Sequence, residues 1–305
     1  MAPKKIVIDT DCGVDDAVAI MIALASPEIE ICGITTVSGN VPLDRVLENV
    51  LRLLSFLDRT GIPVFRGASL PLVERPRHAT DIHGMNGLGN VQLPAPRMAE
   101  QAARAPEGIS RLARENPGLT LLTLGPLTNV AIAVNLYPEL KDRIGEIVAM
   151  GGGVESGNVT RFAEFNFYAD PESVQFVLDC GIPLSVLTWD ATLTVVHTEE
   201  ELAAAGFAGS ASGRLFLELQ KLPFSYFEKL HGSRSTMLPD PLAAAYLVDR
   251  GIARTTIRSG LRMELDRGER RGAVVLAGGQ EANIVLNVDK SGFMRILMRV
   301  IALRP

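Results

Sequence analysis

Residues 6–20 read IVIDTDCGVDDAVAI, and the organisation of the chain is built on this stretch. Three β-branched residues lead into four aspartates within eight positions, and the apolar segment 17–25 follows. The pattern predicts a buried strand, a glycine-containing turn and a buried helix. Ionised carboxylates packed between two apolar elements repel one another and lose hydration unless a cation compensates them. Because hard oxygen ligands suit Ca²⁺ or Mg²⁺, we expect a metal–carboxylate site at the carboxyl end of this strand.

The same acids also have an ordinary structural interpretation. Asp15 or Asp16 could cap the helix, because an Asp accepts hydrogen bonds from the free N–H groups of a first turn. Asp9 could be a simple strand-end residue, and of the four it is the one best explained in this way. A single capping Asp is common, but four acids without an intervening Lys or Arg favour the metal site.

The composition predicts a globular protein with a large core and excludes several partners. The chain has 305 residues, of which 47% are hydrophobic, so either one large α/β domain or two smaller ones is possible. A net charge of −5, with basic and acidic residues scattered, gives no footprint for nucleic acid. Aromatic residues make up 5%, which argues against a stacking platform for single strands.

The cysteines and the N-terminus predict a soluble cytoplasmic protein. Cys12, Cys32 and Cys180 have neither metal-ligand spacing nor disulfide density, as is usual in a reducing compartment. After two lysines only three apolar residues precede Asp9, which is too few for a signal peptide. The longest apolar run, 17–25, is far shorter than the ~20 residues that span a bilayer. We therefore expect no membrane partner.

Strand and helix patterns alternate along the rest of the chain. Strands are expected at 30–37, 63–65, 119–124, 145–150 and 183–188, and helices at 43–58, after residues 125–129 and from Pro171 with Asp170 as N-cap. Residues 198–250 are expected to be largely helical, with Asp240 as a second N-cap. Short strands at 257–263, 273–276 and 284–288 and a helix through Leu297 close the chain. The pattern predicts a single α/β domain over residues 1–305, with a mostly parallel central sheet flanked by helices and ligands at the strands' carboxyl ends.

A long segment from Arg66 to Pro106 interrupts this alternation. A loop of such length in a compact domain is usually functional or mobile. It contains His83 and Gly84 followed by further glycines, a composition that suggests a flexible flap over a pocket.

With these segments in view, the chain resembles the nucleoside hydrolase family, which cleaves the N-glycosidic bond of ribonucleosides. The resemblance covers most of the length and rests on motifs in a fixed order, namely residues 9–17 (DTDCGVDDA), 38–40 (SGN), 83–84 (HG), 125–129 (GPLTN), 150–152 (MGG), 157–158 (GN) and 163–166 (AEFN). It implies the Rossmann-like nucleoside hydrolase fold and, by analogy, a homodimer or homotetramer.

The resemblance implies a Ca²⁺ site. Asp11 is similar to the residue that both ligates Ca²⁺ and takes the proton from the attacking water. Asp16 matches a bidentate ligand, the carbonyl of Leu124 a backbone ligand and Asp240 the last protein ligand. These supply about five oxygens, and because Ca²⁺ accepts up to about eight, roughly three positions remain for one water and two ribose hydroxyls.

The resemblance also implies a ribose pocket. The residues expected to grip the ribose hydroxyls are Asp15, Asn40, Glu164 and Asn166, with Asn158 and Met150 lining the sugar. Each also has a plainer interpretation. Asn40 after Gly39 is an ordinary turn residue, Glu164 and Asn166 could lie in a solvated loop, and a methionine is more often a core residue.

One position departs from the family pattern. Many members carry a His directly before the last metal-binding Asp, where it is proposed to protonate the departing base, and here that position is Pro239. Proline can neither donate nor accept that proton. The remaining candidates are His83 on the flap, assigned here as a catalytic residue, and Tyr226 or His231 in the segment 224–231.

The leading hypothesis is therefore a Ca²⁺-dependent ribonucleoside hydrolase that acts by direct water attack. One alternative is a ribose-binding protein that needs metal but has lost turnover, a possibility that Pro239 raises. Another is a phosphatase like the haloacid dehalogenases, since a strand ending in Asp9-x-Asp11 superficially fits. That reading leaves Asp15 and Asp16 unexplained and lacks the expected downstream motifs.

Overall fold

The computed structural model describes residues 2–278 and 280–304. In this part of the chain nine strands form one sheet in the order β10-β9-β11-β6-β5-β4-β1-β2-β3, and β7 pairs with β8 in a small antiparallel ribbon. The strands are β1 (Lys4–Thr10), β2 (Ile29–Thr36), β3 (Val64–Arg66), β4 (Leu119–Thr123), β5 (Ile144–Met150), β6 (Leu184–Leu187), β7 (Val196–Thr198), β8 (Ser235–Met237), β9 (Ala253–Met263), β10 (Val274–Ala277) and β11 (Glu281–Val288).

Neighbouring strands from β3 across the sheet to β11 are parallel, whereas β9, next to one edge, runs antiparallel to both of its neighbours, β11 and β10. Strand β1 lies inside it, with Ile8 opposite Ile34 of β2 on one side and Leu122 of β4 on the other. The inner strands β1, β4, β5 and β6 are mostly buried, as is typical of parallel strands whose two faces are covered by helices. The predicted mostly parallel α/β fold is thus confirmed.

The helices are α1 (Val14–Ala25), α2 (Leu43–Phe56), α3 (Thr80–His83), α4 (Ala105–Glu115), α5 (Thr128–Leu136), α6 (Leu140–Arg143), α7 (Phe165–Ala169), α8 (Pro171–Asp179), α9 (Trp189–Leu193), α10 (Glu199–Ala204), α11 (Ala211–His231), α12 (Pro239–Val248) and α13 (Lys290–Leu297). Two separate apolar cores hold them against the sheet. Helices α1, α2, α11, α12 and α13 contribute to one core, and α4, α5 and α8 contribute to the other. No described helix is both long and apolar enough to cross a membrane.

Most predicted elements lie within a few residues of their expected limits. Residues 198–250 are largely helical, as expected, although Ser235–Met237 forms β8. One expectation was wrong, because Asp240 is not an N-cap: α12 begins at Pro239 and Leu238 occupies the cap position. In the segment 66–106, His83 lies at the end of α3 and is only 7% exposed, and the flexibility of the segment stays a prediction.

The parallel strands bring their carboxyl ends to one edge of the sheet. Asp11 follows β1 directly, Leu124 follows β4, and Met150 is the last residue of β5. Residues far apart in sequence therefore meet at this edge, as is general for open parallel sheets.

Candidate active site

Asn40, which follows β2, binds both Asp11 in the turn between β1 and α1 and Asp16 in the first turn of α1. The Asn40 backbone N–H donates to Oδ2 of Asp11 at 2.7 Å, and its Nδ2 donates to Oδ1 of Asp11 at 3.1 Å and to Oδ2 of Asp16 at 3.2 Å. Asp16 also accepts from the Thr10 hydroxyl at 2.5 Å and from the Gly13 N–H at 2.8 Å. Asp16 thus ties down the start of its own helix while one of its oxygens also faces Asn40.

Two glycines make this close arrangement possible. A Cβ atom on Gly39 would lie 2.0 Å from Oδ2 of Asp11, and one on Gly13 would lie 2.2 Å from Nδ1 of His83. Between the aspartates, Cys12 has a φ of +26°, in the left-handed region that side chains other than glycine rarely adopt. The backbone here is therefore held in a conformation that its local sequence does not favour.

Four buried aspartates cluster at the carboxyl end of the sheet. Carboxylate oxygens of Asp15, Asp16 and Asp240 lie within 4.8 Å of one another. Asp11, which the resemblance counts as a ligand, lies outside that set but beside Asp16, whose charge acts on it. Asp15, expected only at the ribose, belongs to it. Asp240 lies in the first turn of α12, where the helix dipole favours a negative charge.

Burial raises the pKa of all four carboxyl groups, and repulsion by the neighbouring carboxylates raises the pKa of Asp11, Asp16 and Asp240 further. The pKa values of Asp11 and Asp240 are raised well above their usual range, and that of Asp15 rises to about 6. Burial and the charge of Asp15 also raise the pKa of Asp16. Within residues 2–278 and 280–304 none of the four is paired with a Lys or Arg.

The donor set fits a hard divalent cation. Oδ1 of Asp15 is buried without a hydrogen-bond partner among the described residues. Buried polar atoms are nearly always paired, so an oxygen of this kind fits the role of a metal ligand. A bound cation would offset the repulsion that raises these pKa values, and carboxylate and carbonyl oxygens are the ligands that Ca²⁺ and Mg²⁺ prefer.

The opposite wall of the site is built by the segment that precedes α7. Glu164 accepts hydrogen bonds from the N–H groups of Gly152, Asn166 and Phe167 at 2.8, 2.9 and 3.2 Å, and burial raises its pKa to about 7. Nδ2 of Asn166 donates to the Leu124 carbonyl at 2.8 Å and to the Met150 carbonyl at 3.2 Å. This wall is therefore joined to the ends of β4 and β5.

His83 and Tyr226 approach the site from α3 and α11. The Val14 N–H donates to Nδ1 of His83 at 3.2 Å, which leaves the ring proton on Nε2. Burial lowers the pKa of His83 to about 4. The ring is therefore neutral near pH 7, and its 3.7 Å approach to Oδ1 of Asp15 is not an ion pair.

A cavity of about 670 Å³ opens between these walls. Most of the residues that the sequence pointed to line it, namely Asp15, Asn40, His83, Leu124, Met150, Asn158, Glu164, Asn166, Tyr226 and Asp240. Asp11 and Asp16 do not line it. Both are fully buried, and Asn40, which binds both, connects them to the cavity.

The cavity also contains residues that sequence reasoning missed. Trp189 at the start of α9, Gln220 and Phe227 on α11, and Arg77 before α3 all line it. Trp189 could have been found, because it follows β6 at the edge where ligands bind. For Gln220 and Phe227 the sequence carries no comparable signal, since a long amphipathic helix has many such positions.

The chain is similar to known proteins over most of its length. The model of the family described as inosine-uridine preferring nucleoside hydrolase matches residues 6–295. A pyrimidine-specific ribonucleoside hydrolase, RihA of Salmonella typhi, is 36% identical over 300 residues, which cover 96% of each chain. An uncharacterised protein of Schizosaccharomyces pombe is 39% identical over 247 residues, 80% of each chain.

Solved structures give the same result. The plant nucleoside hydrolase PpNRh1 superposes with a TM-score of 0.94 at 31% identity, covering 98% of this chain and 99% of its own. A purine-preferring ribonucleoside hydrolase from Gardnerella vaginalis gives 0.92 at 29% identity, with the same coverage of both chains. This chain belongs to the inosine-uridine preferring nucleoside hydrolase family. It is an N-glycosyl hydrolase, and its substrates are ribonucleosides.

Proposed function

We propose that this enzyme hydrolyses ribonucleosides with Ca²⁺ as its cofactor and that Asp11 activates the attacking water. The observation that carries the proposal is the cluster of buried carboxylates, none of them paired with a Lys or Arg of the described residues, beside a cavity of about 670 Å³ that Asp15 and Asp240 line. Asp11, Asp16, Asp240 and the Leu124 carbonyl would hold the ion. When bound, Ca²⁺ would orient the attacking water with two ribose hydroxyls and lower the pKa of that water.

In this proposal Asp11, which Asn40 connects to the cavity, and the carboxylate and amide side chains that line the cavity do the rest of the chemistry. Asp11 takes one proton from the water as the water oxygen bonds to C1′ and the bond from C1′ to the base breaks. Asp15, Asn40, Glu164 and Asn166 bind the ribose hydroxyls, with Asn158 and Met150 beside the sugar. Because positive charge develops on the ribose as the base departs, carboxylates around it stabilise the transition state.

The departing base also needs a proton or a hydrogen bond, and Pro239 cannot supply it. We propose His83 for this role, acting as a neutral donor through Nε2–H, because Nδ1 is occupied by the Val14 N–H. Tyr226 lines the same cavity and would contact the base. His231 also lines it, at the end of α11, and remains a second donor to test.

The phosphatase alternative lacks support at its central residue. It requires Asp9 as an exposed nucleophile, but Asp9 is 1% exposed and accepts hydrogen bonds from the Thr35 hydroxyl at 2.5 Å and the Asn129 amide at 2.7 Å. Asp9 therefore supports the strand end, in line with its structural interpretation.

The experiment that tests the proposal measures free ribose from inosine, adenosine, guanosine, uridine and cytidine. Each assay is run with Ca²⁺, with chelator, and with Asp11→Ala. We expect ribose only with metal and intact Asp11, and a loss of roughly 10²–10⁴-fold in kcat for the variant. Turnover that survives chelation would contradict the metal role, and full activity of Asp11→Ala would contradict its role as base.

The same panel identifies which base the enzyme prefers. The relatives named above differ in this preference, since one is named pyrimidine-specific and another purine-preferring. His83→Ala and Tyr226→Phe show which side chain assists departure, since the affected substrates lose kcat. Binding of nucleosides without ribose release from any of them would favour the ribose-binding alternative. We also propose a cytoplasmic homodimer or homotetramer, which cell fractionation and sedimentation can test.

A further inference from the structure

Asn49 on α2 joins the turn that carries the aspartates to the segment that carries His83. The side chain is 4% exposed, and its Nδ2 donates to the Cys12 carbonyl at 3.1 Å and to the Asn86 carbonyl at 2.8 Å. The two N–H groups of one amide thus donate to backbone carbonyls of two loops that are 74 positions apart in sequence.

The first of these contacts lies at the strained residue of the turn. Cys12, with its φ of +26°, is held from both sides, since its N–H donates to the Thr10 hydroxyl at 3.0 Å and its carbonyl accepts from Asn49. Such a backbone conformation persists only where its surroundings fix it. Asp11 directly precedes Cys12, so any relaxation of this peptide would move Asp11.

The second contact lies in the turn after His83. The Asn86 side chain organises that turn, accepting from the N–H groups of Leu88 and Asn90 at 2.9 Å and donating to the Val91 carbonyl at 2.8 Å. The turn closes on His83, whose carbonyl accepts from the Gly89 N–H at 2.8 Å. Its backbone also packs against Asn49, because a Cβ atom on Gly87 would lie 2.6 Å from Nδ2 of Asn49.

We infer that Asn49 is a positioning residue that fixes the aspartate turn and the His83 segment relative to each other. Its hydrogen bonds go to two backbone carbonyls and not to any side chain assigned to the metal or the ribose. It does not line the large cavity but a smaller one of about 290 Å³. The inference rests on the proposed function in two respects, namely that the aspartate cluster binds Ca²⁺ and that His83 assists departure of the base. Groups that orient metal ligands typically affect metal affinity by roughly 10–100-fold.

The test compares Asn49→Leu and Asn49→Asp with the wild type. Leucine has a similar volume but no N–H group, and a carboxyl group offers at most one proton where the amide offers two. Asn116→Leu is the matched control, because the Asn116 amide likewise donates to a backbone carbonyl, that of Leu112 at 2.9 Å, but at the far end of α4.

The first readout is Ca²⁺ affinity by calorimetry, without substrate. Terbium emission sensitised by Trp189 provides a second probe, since the chain's only tryptophan lines the same cavity as Asp15 and Asp240. We expect both Asn49 variants to bind Ca²⁺ roughly 10–100-fold more weakly, with Asn116→Leu unchanged. Thermal unfolding in chelator reports separately on any loss of stability, so that a variant that fails to fold is recognised.

The second readout compares substrates at saturating Ca²⁺. A nucleoside needs help for its departing base, whereas p-nitrophenyl riboside releases a stable phenolate without a proton. We expect the Asn49 variants to lose more kcat with the nucleoside than with the phenyl riboside, because the His83 segment has moved. Folded variants with wild-type Ca²⁺ affinity and an equal loss on both substrates would overturn the inference. A wild type that binds no Ca²⁺ would instead contradict the proposed function.

Discussion

Gly39 shows how little space the Asp11 carboxylate leaves around it. A Cβ atom there would lie 2.0 Å from Oδ2 of Asp11 and 2.8 Å from its Cγ, so Gly39→Ala must displace the carboxylate or the backbone that leads to Asn40. We expect kcat to fall by roughly 10²-fold or more, since a positioned base contributes ~10²–10⁴-fold. Overpacking of this kind should cost about 1–3 kcal/mol of stability.

Gly61→Ala is the control for that substitution, because a Cβ atom at Gly61 would meet no described residue within 4 Å other than its own chain neighbours. Steady-state kinetics and urea unfolding distinguish a local from a global effect. If Gly39→Ala retained wild-type kcat, then the contact between Gly39 and Asp11 would not be needed for catalysis.

The sequence indicated site residues where several acidic residues lie close together along the chain. It did not indicate site residues that come together only through the fold. The four aspartates attract attention because carboxylates between apolar segments need a reason to be there. The wall carrying Glu164 was accessible only through the resemblance, since its motif alone fits a solvated loop. Gln220 and Phe227 line the same cavity from α11, and no local sequence pattern distinguishes them from the other positions of that helix.

Helix α9 anchors the loop that leads to the ribose wall. The Asp190 carboxylate accepts from the N–H groups of Val154, Glu155 and Ser156 at 2.6, 3.2 and 3.2 Å and from the Ser156 hydroxyl at 3.1 Å. This loop continues to Asn158, whose Oδ1 accepts from the Phe165 N–H at 2.8 Å. The segment from Ser156 to Asn158 lines the cavity, whereas Asp190 does not. Asp190 therefore acts on the cavity through the position of this segment.

We expect Asp190→Ala to raise KM for nucleosides by about tenfold, which corresponds to 1.4 kcal/mol, while kcat changes less. The loop would lose the acceptor for four donors and become more mobile, but the aspartate cluster would stay in place. Asp179→Ala at the end of α8 is the control, because among the described residues its carboxylate accepts a hydrogen bond from the Gln175 side chain alone. An unchanged KM with a large loss of kcat would refute this assignment.

Most strands and helices were predictable from the sequence, because apolar residues recur with a different spacing in strands than in helices. The exceptions have local causes. Strands β7 and β8 have three residues each, too few for an alternating pattern to stand out. At α12 two prolines compete for the first helical position, and the structure uses Pro239 rather than Pro241. That shift of two residues moves Asp240 from the cap into the first turn.

At the level of the whole molecule, the buried aspartates couple folding to metal. Four acidic groups that are buried together disfavour the folded state when they are ionised, and a cation that binds only the folded state reverses this. A metal concentration 100 times the dissociation constant adds about 2.7 kcal/mol to the free energy of unfolding, or roughly 5 °C to the Tm of a chain of this size.

We therefore expect the Tm at pH 7.5 to rise with Ca²⁺ and fall with chelator. Asp240→Asn should lose this response, whereas Asp142→Asn on α6 should keep it. The same Tm with Ca²⁺ and with chelator would mean that the cluster is stable without an ion, and Ca²⁺ would then have no role in the fold.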